Sequence, residues 1–161
     1  MKEPNPLNSV AEFHKTFKHP IEPNPLIPSE QRAKLRVSLI AEELKELEEA
    51  IQNKDIVEAA DALCDLQYVL SGAILEFGLG HSFKELFDEV QRSNMSKACK
   101  SKEEAERTII HYKAKDNTDA FYKEIDGKFL VYRTSDNKTL KSIDYSPADL
   151  KKIVEEYLAK V

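Results

Sequence analysis

Two groups of carboxylates carry the chemistry this sequence is equipped to do. Glu43 and Glu46 stand three residues apart within EELKELEEAI, residues 42 to 51, and Glu58, Asp61 and Asp65 follow at spacings of three and four. On a helix that turns about 100° per residue, such spacings put carboxylates on one face, a turn apart. Glu43 falls about 40° from Leu47 and about 60° from Ile40, and Glu46 falls beside Leu39, at the edge of the apolar stripe. Glu42, Lys45, Glu48 and Glu49 fall largely outward. A glutamate run alone reads as a solvated helix face, but acids at the edge of a core do not.

The second group sits in a segment with no compensating charge. From Asp55 to Phe83 there is no Lys or Arg, yet Asp55, Glu58, Asp61, Asp65 and Glu76 are present. Glu58, Asp61 and Asp65 lie within about 60° of one another around the helix, and Tyr68 and Gly72 continue that stripe. Like charges on one face repel by a few tenths of a kcal/mol per pair, and by more when desolvated. Either Lys or Arg from another segment or a divalent cation must neutralise the stripe. The all-carboxylate donor set favours a hard cation such as Mg²⁺, with Mn²⁺ as a substitute. No histidine stands three residues after a Glu, as a di-iron carboxylate bundle requires, and no Cys/His cluster suggests zinc.

The elements that must hold these acids are helical. SVAEFHKTF predicts a short helix with Ser9 and Glu12 as a capping box. A long amphipathic helix opens at Ser29 and ends near Asn53, and the next runs from Asp55 to about Phe77, where GLGH breaks it. A short Asn53-Lys54 connection predicts antiparallel packing, which lets the two acid groups converge. HSFKELFDEVQRSN predicts another helix with Ser82 and Glu85 as its box, and SKEEAERTIIHYKAK one opened by Ser101 and Glu104. After Asp116 the pattern changes. Asp126-Gly127 between two aromatic-rich runs predicts a hairpin with a type I′ turn, and a short third strand is expected at residues 139–143. SPADLKKIVEEYLAKV predicts a final helix with Ser146 as N-cap and Pro147 in first position. The fold class is therefore mainly α: an antiparallel helical bundle over 1–116, with a β-hairpin and helix over 117–161 packed on it as an appendage.

The chain has 161 residues and 24 Lys plus Arg against 29 Asp plus Glu, a net charge of −5. That mild acidity argues against broad binding to a nucleic-acid backbone. MKEPNPLNSV lacks the apolar core of a signal peptide. YVLSGAILEFGLG is too short for a membrane span and contains Glu76. Cys64 and Cys99 stand far apart with no CxxC pair, as in a reduced, cytoplasmic protein.

The order Glu43-Leu-Lys-Glu46, then Glu58-Ala-Ala-Asp61, resembles the ExxE…ExxD signature of the MazG-like, all-α nucleoside triphosphate pyrophosphohydrolases, relatives of phosphoribosyl-ATP pyrophosphohydrolase. RVSLIAEELKELEEAI, AADALCDLQYVLSGAILEFG and FDEVQRSNMSK are similar to successive helices of one branch of that superfamily, over roughly residues 9 to 116. The resemblance implies Mg²⁺-dependent hydrolysis between the α- and β-phosphates, giving a nucleoside monophosphate and pyrophosphate. It makes Glu43, Glu46, Glu58 and Asp61 the metal ligands, with Glu42 and Asp65 as further ligands or as the group that orients water. Asp61 and Asp65 both remain open as the main aspartate ligand. Arg92, Asn94 and Lys97 resemble substrate-contacting positions. Arg36, about 20° from Glu43 and two turns earlier, is placed to pair with that carboxylate or reach phosphate, and His14 to line a base pocket, with Phe13 beside it or, as the stronger reading, in the core. Tyr132, Arg133, Lys138 and Lys141 in the tail receive no catalytic role.

The expectation is a nucleotide pyrophosphohydrolase that forms a homodimer, the dimer resting on the family likeness. Two rivals share the acids: a hydrolase of a phosphoribosyl nucleotide, and a non-catalytic helical module that binds nucleotide or a protein partner, its acids paired by Lys or Arg.

Overall fold

The computed structural model describes residues 2–159. Its elements run α1 (Pro6–Phe17), α2 (Glu30–Asn53), α3 (Ile56–Glu76), α4 (Phe83–Met95), α5 (Lys102–Asp116), β1 (Ala120–Ile125), β2 (Lys128–Arg133) and α6 (Leu150–Leu158). No helix among these residues is long and apolar enough to cross a membrane. The backbone groups into two compact units, one running up to Phe83 and resuming at Val154, the other spanning Lys84–Ile153. The change of composition after Asp116 thus falls inside the second unit.

In the first unit α2 and α3 form a helical hairpin with α1 against α3. The turn between them is written in local chemistry. Lys54 takes a left-handed conformation, φ 56°, and its N–H caps Ala50 and Ile51. Asp55 then accepts hydrogen bonds from the N–H groups of Val57 and Glu58, opening α3. Ser29 opens α2 by accepting from Arg32 N–H. The end of α3 is fixed by Gly78, whose φ of +67° needs glycine and where a Cβ would lie 1.7 Å from the Asn24 carbonyl oxygen. Leu26 N–H donates to Phe77 O and Glu22 N–H to Leu75 O, so the second EPNPL segment lies along the end of α3.

The α1 capping box is not formed. The helix starts earlier, at Pro6 after Asn5, because proline in the first turn needs no N–H partner; Ser9 donates its hydroxyl back to Asn5 O. Ser82 donates its hydroxyl to Leu79 O.

The second unit holds a core of Cys99, Ala105, Val131 and Leu140, flanked by Ile109, Tyr112, Tyr122 and Phe129. Ser101 caps α5 through Glu104 N–H, and Glu104 reaches back to Lys100 N–H. The β1–β2 hairpin pairs Ile125 with Lys128, and Asp126 and Gly127 both have positive φ, 49° and 71°, as a type I′ turn requires. The third strand does not form. Thr139 makes one bridge to Tyr132 and Leu140 N–H bonds Val131 O, but then Ser142 N–H turns to Lys97 O and Ile143 N–H to the Thr108 hydroxyl. Tertiary partners take the N–H groups a strand would have used. The last helix begins at Leu150, not Pro147: Arg92 binds the Ser146 hydroxyl and the Pro147 carbonyl, and Asp149 accepts from Lys152 N–H.

Candidate active site

The α2–α3 hairpin sets its residues in antiparallel register, so each step up one helix meets a step down the other. Ala50 and Asp55 lie nearest the turn, Glu46 and Asp61 come next, and Arg36 and Gly72 are farthest from it. A cleft of about 380 Å³ near the turn is lined by Glu46, Glu49, Asn53, Glu58 and Asp61. Glu43 follows, one turn up α2 from Glu46. Its carboxyl is pushed up from the usual glutamate range, first by desolvation, then by the charges of Glu46, Asp65, Glu42 and Asp61. Glu43 Oε2 is buried and has no hydrogen-bond partner. Carboxylates from both helices therefore act on Glu43. The only ion pair any of the lining acids makes among the described residues is Glu49 with Lys45, at 3.4 Å.

The carboxylates are grouped by field rather than at coordination distance: among the described residues, no three His, Cys, Asp or Glu side chains stand close enough to hold a metal ion. The donor set nonetheless suits a hard cation. It consists of carboxylates only, mostly solvent-accessible, with one buried oxygen lacking any donor, and unpartnered buried oxygens are rare.

Residues 10–94, more than half of the chain and including every acid of the site, match the family described as phosphoribosyl-ATP pyrophosphohydrolase. The chain belongs to that family. Its members are pyrophosphohydrolases within the MazG-like all-α superfamily. An uncharacterized protein of Acanthamoeba polyphaga mimivirus is 24% identical, over 83% of this chain and 89% of the viral one.

Other residues of this pyrophosphohydrolase are placed differently from the sequence expectation. Arg36 does not meet Glu43. Two helical turns separate them, about 10 Å, while the antiparallel register brings Glu76 alongside. Arg36 Nη2 donates to Glu76 Oε1 at 2.5 Å and to His14 Nε2 at 3.2 Å. Arg32 also binds Glu76, and Glu76 is 1% exposed. The two guanidinium groups pull the Glu76 carboxyl below its ordinary range against the effect of burial. Gly72 leaves room for this cluster, since a Cβ there would lie 2.7 Å from Arg36 Nη1.

His14 is likewise a core residue. Its Nδ1–H donates to Pro20 O at 2.8 Å and its Nε2 accepts from Arg36, which fixes the neutral tautomer, and burial lowers its pKa. Both nitrogens are committed, so it offers a base no free polar group. Phe13 beside it is partly exposed and packs on Phe17, His19 and Tyr68.

In the second unit Arg92 is committed to its own fold. It forms a two-pronged pair with Glu89 and binds Ser146 and Pro147, and with Asp149 N–H it holds the Glu89 carboxyl down to about 2. Asn94 and Lys97 bond each other, Nζ to Oδ1 at 2.7 Å.

Helical geometry alone sets Glu49 outside the site, and the structure puts it in the cleft wall. The signal is present in the sequence: Glu43, Glu46 and Glu49 repeat at three-residue spacing, so the row continues toward the turn.

Proposed function

We propose that this chain hydrolyses a nucleoside triphosphate, ribo- or deoxyribo-, between its α- and β-phosphates, releasing a nucleoside monophosphate and pyrophosphate. The observation that carries the reading is Glu43, a carboxylate with a buried, unpartnered oxygen, set among acids and, among the described residues, in no ion pair. Positive charge supplied from outside the chain stabilises such a cluster.

Glu43, Glu46, Glu58 and Asp61 would hold Mg²⁺, or Mn²⁺ in its place. Bound there, the ion would polarise the phosphoryl oxygens, lower the pKa of a water and offset the repulsion between acidic protein and triphosphate. Asp65 and Glu42 contribute to the field at Glu43 and are assigned to orienting the attacking water. Their task is positional, because phosphoryl transfer asks a protein chiefly to align groups and stabilise charge. Asn94 and Lys97 are assigned to substrate.

A homodimer is part of this reading. On α2 and α3, Leu44, Ile51, Ile56, Val57 and Leu63 are each more than half exposed. An apolar face of that kind is a common mark of an interface.

The family match favours one second reading, hydrolysis of phosphoribosyl-ATP, since that is the substrate in the family's description. The acids are common to both. Phosphorus NMR on a panel of NTPs, dNTPs and phosphoribosyl-ATP separates them. The proposal expects a monophosphate and pyrophosphate from a triphosphate; turnover of phosphoribosyl-ATP alone would replace it with the second reading.

A further inference from the structure

The tail segment after β2 has no catalytic signature in its sequence, yet it delivers charge to the end of α4. Ser142 N–H donates to Lys97 O at 3.1 Å, Tyr145 shares a 2.8 Å hydrogen bond with the Ser93 hydroxyl, and Ser146 N–H donates to the Ser96 hydroxyl at 3.0 Å. Ser142 also donates to buried Glu104. These bonds strap residues 141–146 along residues 93–97. Lys141 Nζ lies 4.3 Å from the centre of the Tyr145 ring, within cation–π range. The Tyr145 hydroxyl is shifted down by the Ser93 bond and then by the charges of Lys141 and Lys97, so both ammonium groups bear on one phenol.

Among the described residues neither ammonium has a carboxylate within 4.0 Å; Lys97 bonds Asn94 and Lys141 rests on Tyr145. Because Asn94 Oδ1 accepts from Lys97, the Asn94 amide NH₂ keeps its donors. The cluster is therefore rich in donors, doubly positive, and fixed by backbone bonds rather than by a paired acid.

We propose that Asn94, Lys97, Lys141 and Tyr145 form a binding site for a multiply charged phosphate anion, with Lys141 and Tyr145 as substrate-binding residues supplied by the tail. Lys141 over the Tyr145 ring and Lys97, whose carbonyl accepts from Ser142 N–H, bring two positive charges to this strap, and an anion of charge −2 or more neutralises them better than a monocarboxylate does. Lysine is well suited to this as a point charge for phosphate. The inference rests on the pyrophosphohydrolase reading for its choice of ligand: the site takes the phosphate chain of the substrate or the pyrophosphate released.

The test is a titration of the full chain with inorganic pyrophosphate in EDTA, followed residue by residue by NMR, with Lys141→Met and Tyr145→Phe alongside. The expected result is saturable shifts centred on residues 94–97 and 141–145. Affinity should fall five- to tenfold in Lys141→Met and less in Tyr145→Phe, which keeps the ring. In turnover assays Lys141→Met should raise KM by a similar factor. Shifts confined to other residues, or unchanged affinity and KM in Lys141→Met, would overturn the proposal. If the wild-type protein binds pyrophosphate at this cluster but hydrolyses no nucleotide, the functional reading fails while the anion site stands. Turnover with an indifferent Lys141 means the reverse: the anion site fails while the functional reading stands.

Discussion

Two glutamates of opposite character govern the first unit at the scale of single residues. Glu43 is desolvated among like charges, which raises its pKa; Glu76 is gripped by Arg32 and Arg36, which lowers it. Their pH dependences therefore differ in sign. A carboxyl raised on folding adds stability below its unfolded pKa and loses it as pH rises through the folded value. A lowered one adds stability above its unfolded pKa and loses it as pH falls through the folded value. Metal-free Glu43→Gln should be more stable than wild type near neutral pH, its midpoint in a thermal melt rising by a few degrees, and the gain should vanish in acid. Glu76→Gln should cost about 3–5 kcal/mol in urea titrations near neutral pH, because it leaves buried Arg36 without its anion. That loss should shrink as pH drops below the ordinary glutamate range. Unchanged melts for Glu43→Gln would mean its carboxylate is already neutralised within the chain.

At the scale of elements, what is legible in the sequence is what local chemistry decides. Ser29 and Asp55 open their helices through bonds to N–H groups two or three residues on, and Asp126-Gly127 makes its turn because both residues adopt positive φ. Three-residue spacing likewise puts Glu43 with Glu46 and Glu58 with Asp61 before any packing is considered. What is not legible depends on partners far along the chain. The third strand gives way to Thr108 and Lys97, α6 starts late because Arg92 holds Ser146 and Pro147, and Arg36 finds Glu76 only through the α2–α3 register. Lys141 and Tyr145 carry no local signal for the same reason. Gly78 belongs to this scale as well. Gly78→Ala should destabilise by at least about 2 kcal/mol, since positive φ and the Asn24 carbonyl both oppose a side chain. A melt within a degree of wild type would show that the loop yields freely.

At the scale of the whole molecule, the family match covers residues 10–94, a range that includes the acidic hairpin. The exposed leucine and isoleucine residues of that hairpin are the face on which the proposed dimer is tested. Sedimentation velocity should find a dimer that Leu63→Glu converts to monomer while far-ultraviolet circular dichroism is unchanged; a wild-type monomer at tens of micromolar would rule the dimer out. The most direct measurement of the proposed chemistry is pyrophosphate release from the preferred triphosphate with Mg²⁺ and with EDTA, for wild type, Glu43→Gln and Asp61→Asn. Release should require Mg²⁺ and fall at least about 100-fold in either variant, the scale expected when a group central to transition-state charge is removed. Release that persists in EDTA, or in folded Glu43→Gln protein, would contradict catalysis by a metal held on these acids.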